Sequence, residues 1–139
     1  MHRILVGIDG SLQGDRAFNF ALQMTHHFDC KLHLCAVIYG AEIEMAEARE
    51  REALVDRQRA RMSRHLQALR DIASAQNLAP ETHLSEGHPV EELLGLAQRL
   101  NVDHIILGHR SKGLFEQLLM GSVAKRVVDF ARCSVTVVR

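Results

Sequence analysis

Ile4-Leu5-Val6-Gly7-Ile8, followed at once by Asp9-Gly10-Ser11, is the stretch that decides the fold. Its apolar residues do not alternate with polar ones, which is the pattern of a strand covered on both faces, as strands of a parallel sheet are. Asp9-Gly10-Ser11 reads as a turn, and Ser11 suits the N-cap of a helix carrying Ala17, Phe18, Ala21, Leu22 and Met24 at helical spacing. Outward from there, strand character returns in Lys31–Ile38, through Leu32, Leu34, Cys35, Ala36, Val37 and Ile38, and stops at Tyr39-Gly40. It returns again in residues 103–108, where Asp103-His104-Ile105-Ile106-Leu107-Gly108 is ended by glycine, and in Ser134–Val138. Residues 80–86 are polar, with Leu84 the one clearly apolar side chain, and read as an edge strand where proline and histidine are tolerated.

The segments between these strands are helical. Residues 41–76 contain neither glycine nor proline and carry Leu54, Met62, Leu66, Leu69, Ile72 and Ala73 as a sparse apolar stripe, the longest helix of the chain. Its first ten residues read equally well as a mobile loop. Acidic side chains come first in this segment and arginines follow, an order that complements the helix dipole. Either a solvated face or a docking surface fits it. Pro89 suits a helix start ahead of Val90, Leu93, Leu94, Leu96, Ala97 and Leu100, and a last helix starts at Gly121-Ser122 and runs to about Ala131. Strands alternating with helices predict one α/β domain, a parallel sheet with helices on both faces. Ligands of such sheets bind beyond the carboxyl ends of the strands, where strand order reverses. If the first and fourth strands are neighbours there, Asp9 and Gly108 face one crevice.

The 139 residues suffice for one domain, and 47% hydrophobic with 24% charged residues is a globular balance. Lys+Arg 17 against Asp+Glu 17 leaves no basic excess, which argues against nucleic-acid and anionic-membrane partners. The three cysteines, Cys30, Cys35 and Cys133, make no CxxC and read as buried apolar residues in a reduced setting. The apolar run after Met1-His2-Arg3 is too short for a signal peptide, so a cytoplasmic protein is expected. Nine histidines invite a metal hypothesis, but His26-His27 point in different helical directions and His104 and His109 lie at opposite ends of a strand and loop. No metal site is expected, and no nucleophile–base pair can be placed in one locus.

The most informative stretch for function is Gly108-His109-Arg110-Ser111-Lys112-Gly113, with Gly121-Ser122-Val123 at a helix start. Glycines after a strand let a ligand approach the backbone, and a helix N-terminus offers free N–H groups to phosphate. Ser122 adds a hydroxyl, and Arg110 and Lys112 add local positive charge. A purely structural account is also open, in which Gly108 ends a strand, Gly113 turns a loop and Ser122 caps a helix. The spacing is neither a P-loop nor GxGxxG.

From Gly108 through Gly121-Ser122-Val123 to Ser134-Val135-Thr136-Val137-Val138, the chain resembles the C-terminal signature of the universal stress protein family, and residues 4–11 are similar to that family's first strand and turn. The resemblance implies a five-stranded parallel sheet in the order 3-2-1-4-5, a homodimer and, in one branch, an ATP site with the pattern G-x-x-G-x9-G-S/T. Gly108, Gly121 and Ser122 match that pattern at the required spacing, while Ser111 stands at its second glycine. A non-glycine residue held at positive φ costs roughly 1 kcal/mol. By the same resemblance, Asp9 contacts the ribose or orders its loop, and Val37 presents backbone groups to adenine. Gly108, His109, Arg110 and Ser111 run along ribose and phosphates, and Gly121, Ser122 and Val123 hold the outer phosphates. Magnesium is expected to arrive with the phosphates. Asp9 also reads as an Asx-turn residue.

Three functions follow as expectations. The first is an ATP-binding regulatory homodimer that signals stress or energy state to a protein partner. The alternative is a dimeric interaction module in which Ser111 marks a lost ATP site, and the third is a nucleotide-hydrolysing enzyme. Ser134–Val138 is an apolar strand ending the chain, a hazard at a sheet edge unless Val135 and Val137 pair with a second copy.

Overall fold

The computed structural model describes residues 2–109 and 121–139. Its strands are β1 (Arg3–Ile8), β2 (Lys31–Ile38), β3 (Glu81–Glu86), β4 (His104–Gly108) and β5 (Ser134–Val138), all parallel in the order β3-β2-β1-β4-β5. The helices among the described residues are α1 (Leu12–Thr25), α2 (Ala41–Met45), α3 (Ala48–Ser74), α4 (Pro89–Arg99) and α5 (Ser122–Phe130). No helix there is long and apolar enough to cross a membrane.

Strand alternation divides the core into two layers. Ile4, Val6 and Ile8 of β1, with Leu32, Leu34 and Ala36 of β2, pack against Phe18 and Leu22 of α1 and Met62, Leu66 and Leu69 of α3. Leu5, Cys35, Ile105 and Leu107 face the other way, onto Val90, Leu93 and Leu96 of α4 and Ala124 and Val127 of α5. The uninterrupted apolar runs of β1 and β4 therefore have a physical cause, because both their faces are buried. Each fully buried large side chain, such as Phe18 or Ile105, contributes about 1.5–3 kcal/mol. β3 lies at the polar edge of the sheet and β5 at the other edge, each as its residues led one to expect.

One expected element divides. Instead of a single helix over 41–76, the chain leaves helical geometry at Ala46, whose ψ is 149°, and α3 starts after Glu47. The break lets Ile43 reach Ile38 and Val55 in a small apolar cluster, while Arg51 donates from Nε to the Ile43 carbonyl at 3.0 Å. Local propensity favours one helix, and burial of Ile43 selects two. The apolar stripe also sits slightly differently, with Val55 buried and Ile72 half exposed.

Candidate functional site

β1 and β4 are hydrogen-bonded neighbours in the register Ile4↔His104, and strand order reverses between them. Their carboxyl ends open onto a cleft of about 460 Å³. Asp9, Val37, Gly108, His109, Gly121, Ser122 and Val123, seven residues singled out from sequence, all line it. Arg110 and Ser111, with Lys112 and Gly113, lie outside the described residues.

Each wall follows from local sequence. After β1, Gly10 takes φ +81°, a conformation that glycine adopts without steric cost. Asp9 Oδ1 accepts from the Ser11 amide at 2.9 Å and from the Ser11 hydroxyl, and Ser11 Oγ in turn accepts from the Gly14 amide at 3.1 Å. Asp9 is thus the Asx-turn residue that its second reading proposed, and it orders the start of α1 from the cleft rim. Gly108 also answers to packing. A Cβ there would lie 2.5 Å from the Gln13 carbonyl carbon and oxygen and 2.8 Å from the Gly14 amide nitrogen. The first turn of α1 therefore rests directly on the end of β4. His109 is buried and donates its amide to the Val138 carbonyl, tying the exit of β4 to β5.

α5 starts differently. Its N-cap is Gly121, with φ −62° and ψ 155° and no side-chain capping bond. Ser122 is the first helical residue, so the proposal that its side chain caps the helix is corrected: a glycine occupies the cap. The first-turn amides of a helix have no intrahelical acceptor, and a glycine cap supplies no oxygen to them. Gly121, Ser122, Val123 and Ala124 bring that end of α5 to the cleft.

Three further lining residues escaped the sequence reading. Tyr39 follows β2, with its ring centroid 5.1 Å from that of His88, and Gln58 and Arg61 come from α3. Arg61 is the arginine of the described lining, on a helix whose charges read as either a solvated face or a docking surface. The signal available was its neighbour Met62, a stripe residue that buries against β1 and so carries Arg61 to the same end of the sheet.

Cys35 also lines the cleft, and burial pushes its thiol up to about 12. Burial likewise raises the Cys30 and Cys133 thiols. All three are therefore protonated at neutral pH and unsuited to nucleophilic attack. Asp9 is the one carboxylate of the described lining. The arrangement is suited to holding an anion with an apolar appendage, through backbone donors, a hydroxyl and a guanidinium.

Below Cys35 on the same sheet face, the fold assembles a cluster that sequence spacing had argued against. His33, Glu81 and His83 place ligand-type atoms within 4.8 Å of one another.

The model of the universal stress protein family matches residues 1–139. A universal stress protein of Staphylococcus aureus is 30% identical over 143 residues, covering 98% of this chain and 82% of that protein. The structure of UspA from Lactobacillus plantarum superimposes with a TM-score of 0.85 at 23% identity, covering 99% of this chain and 97% of that one. A universal stress protein solved in complex with cAMP is 25% identical, with a TM-score of 0.69, covering 99% of this chain and 96% of that one. With its five parallel strands in the order β3-β2-β1-β4-β5 and its match along the whole length, the chain belongs to the universal stress protein family.

Proposed function

We propose that the cleft binds an adenine nucleotide, ATP carrying Mg²⁺ on its phosphates, and that the protein is a cytoplasmic homodimeric regulator whose occupancy a protein partner reads. The observation that carries this reading is the glycine-capped start of α5 opening onto the same cleft as Asp9, Val37, Gly108 and His109. Free amides there suit phosphate oxygens. Arg61 adds a charge-assisted donor, and Val37 at the end of β2, which lines the cleft, is assigned to the base. A volume of about 460 Å³ falls within the roughly 300–1,000 Å³ typical of small-molecule pockets. The related protein solved with cAMP supports the ligand class.

Hydrolysis is expected to be slow at most. The one carboxylate of the described lining, Asp9, is engaged by Ser11, and the Cys35 thiol is protonated. In the homodimer, β5 pairs with a second copy. Among the described residues β5 pairs only with β4, and Val128 and Phe130 of the adjoining α5 are 43% and 65% exposed, an apolar margin suited to a partner. Ser111, at the position of the motif's second glycine, favours the alternative of a dimeric module without nucleotide.

Mass spectrometry of small molecules released from freshly purified protein separates these readings. An adenine nucleotide near one equivalent supports the first; none released, and none retained after incubation with millimolar ATP, supports the alternative. Val137→Lys is expected to abolish the dimer in light scattering, and an unchanged dimer would place the interface elsewhere.

A further inference from the structure

β2 and β3 pair in the register His33↔Glu81 and Cys35↔His83, so His33, Glu81 and His83 stand on one face of the sheet, the face that carries Cys35 toward α4. His33 Nδ1 lies 3.1 Å from His83 Nε2 and 3.4 Å from Glu81 Oε2. Ligand atoms around a tetrahedral zinc ion at about 2.0–2.1 Å sit about 3.3–3.4 Å apart; the His33–Glu81 separation matches this, the hydrogen-bonded His33–His83 pair is slightly closer, and all three ligand atoms lie within 4.8 Å of one another. We propose that His33, His83 and Glu81 form a binding site for a divalent transition-metal ion, Zn²⁺ by chemical preference, that clamps edge strand β3 to β2.

Two imidazole nitrogens and one carboxylate oxygen are a borderline-soft donor set suited to Zn²⁺, with the fourth position left to water. His33 is 2% exposed, so its ring is fixed by packing, while Glu81 opens the site to solvent. Glu81 is oriented through its other oxygen, which accepts from Lys31 Nζ at 2.7 Å, as second-shell partners orient ligating carboxylates. Lys31, Arg3 and Arg99 are the cations around the cluster. Their repulsion holds the expected affinity to roughly micromolar rather than tighter. The cluster lies on β2 below the nucleotide cleft: His33 is two residues, about 7 Å along the strand, from Cys35, which lines the cleft and pairs with His83.

The test uses the full chain without an affinity tag, stripped with chelator and free of nucleotide. Titration with ZnCl₂ against a chromophoric chelator is expected to give one equivalent bound. Co²⁺ should give visible bands of a nitrogen and oxygen site without thiolate charge transfer. His83→Ala and Glu81→Gln should each weaken binding at least about tenfold, and zinc should raise the unfolding midpoint of the parent but not of His83→Ala. The exposed control His27→Ala should bind like the parent. Absence of stoichiometric binding well above micromolar zinc would overturn the proposal, as would binding retained by both ligand variants or a cobalt spectrum with thiolate bands.

Discussion

The two ends of the parallel sheet treat their loose polar groups in opposite ways. At the amino end the chain satisfies them itself. Asp103 accepts from the His2 amide at 2.8 Å and the Arg3 amide at 3.4 Å, Lys31 pairs with Glu81, and His104 shares a 2.7 Å hydrogen bond with Thr136. At the carboxyl end, α1 is capped by Ser11 and Asp9, whereas α5 starts at a glycine that supplies no side-chain acceptor. The closed end serves stability, and the glycine-capped end is the one proposed to take the anionic ligand.

The largest effect is expected where the open end is also structural. Gly108→Ala drives a methyl group into the Gln13 and Gly14 backbone, so α1 must shift. Chemical denaturation should show a loss of about 2–3 kcal/mol, with nucleotide affinity falling as well. A neutral result would mean that α1 does not need its close seat on β4. Ser122→Asp sharpens the contrast by separating the two quantities. A carboxylate in the first turn of α5 interacts favourably with the helix dipole, by about 0.3–1 kcal/mol, yet repels phosphate. Stability should hold or rise while ATP affinity drops at least about tenfold, a loss of about 1.4 kcal/mol. If both fell together, the start of α5 would be a structural element alone.

The smallest effect belongs to the closed end. Burial lowers His33, His83 and His104 below the ordinary histidine value of 6.5. The unfolded chain then takes up protons first as pH falls. Stability is therefore full above 6.5 and erodes as pH drops through and below that value. The lowered Glu81 and Asp103 carboxyls act only further into acid, below the ordinary carboxylate range. Melting curves of chelator-treated protein should show a midpoint that declines from pH 7 toward about 5, and a flat profile would mean that these rings stay solvated.

Much of this contrast was legible in the residues, for physical reasons. Ile4 to Ile8 and Ile105 to Leu107 read as strands because burial on both faces removes every polar position, and Gly10 and Gly108 marked the open end because a left-handed turn and backbone crowding there favour glycine. The break at Ala46 was hidden, since it depends on Ile43 finding Ile38 and Val55. Arg61 was hidden because its place depends on how α3 crosses the sheet. The cluster of His33, Glu81 and His83 was hidden because it depends on the β2–β3 register, which joins residues about fifty positions apart in sequence.

Isothermal titration of nucleotide-free protein with ATP and Mg²⁺ is the decisive measurement for the cleft. Saturable binding near one nucleotide per chain is expected, weakened at least about tenfold in Ser122→Asp. No binding at millimolar ATP, or binding that Ser122→Asp leaves unchanged, would contradict it.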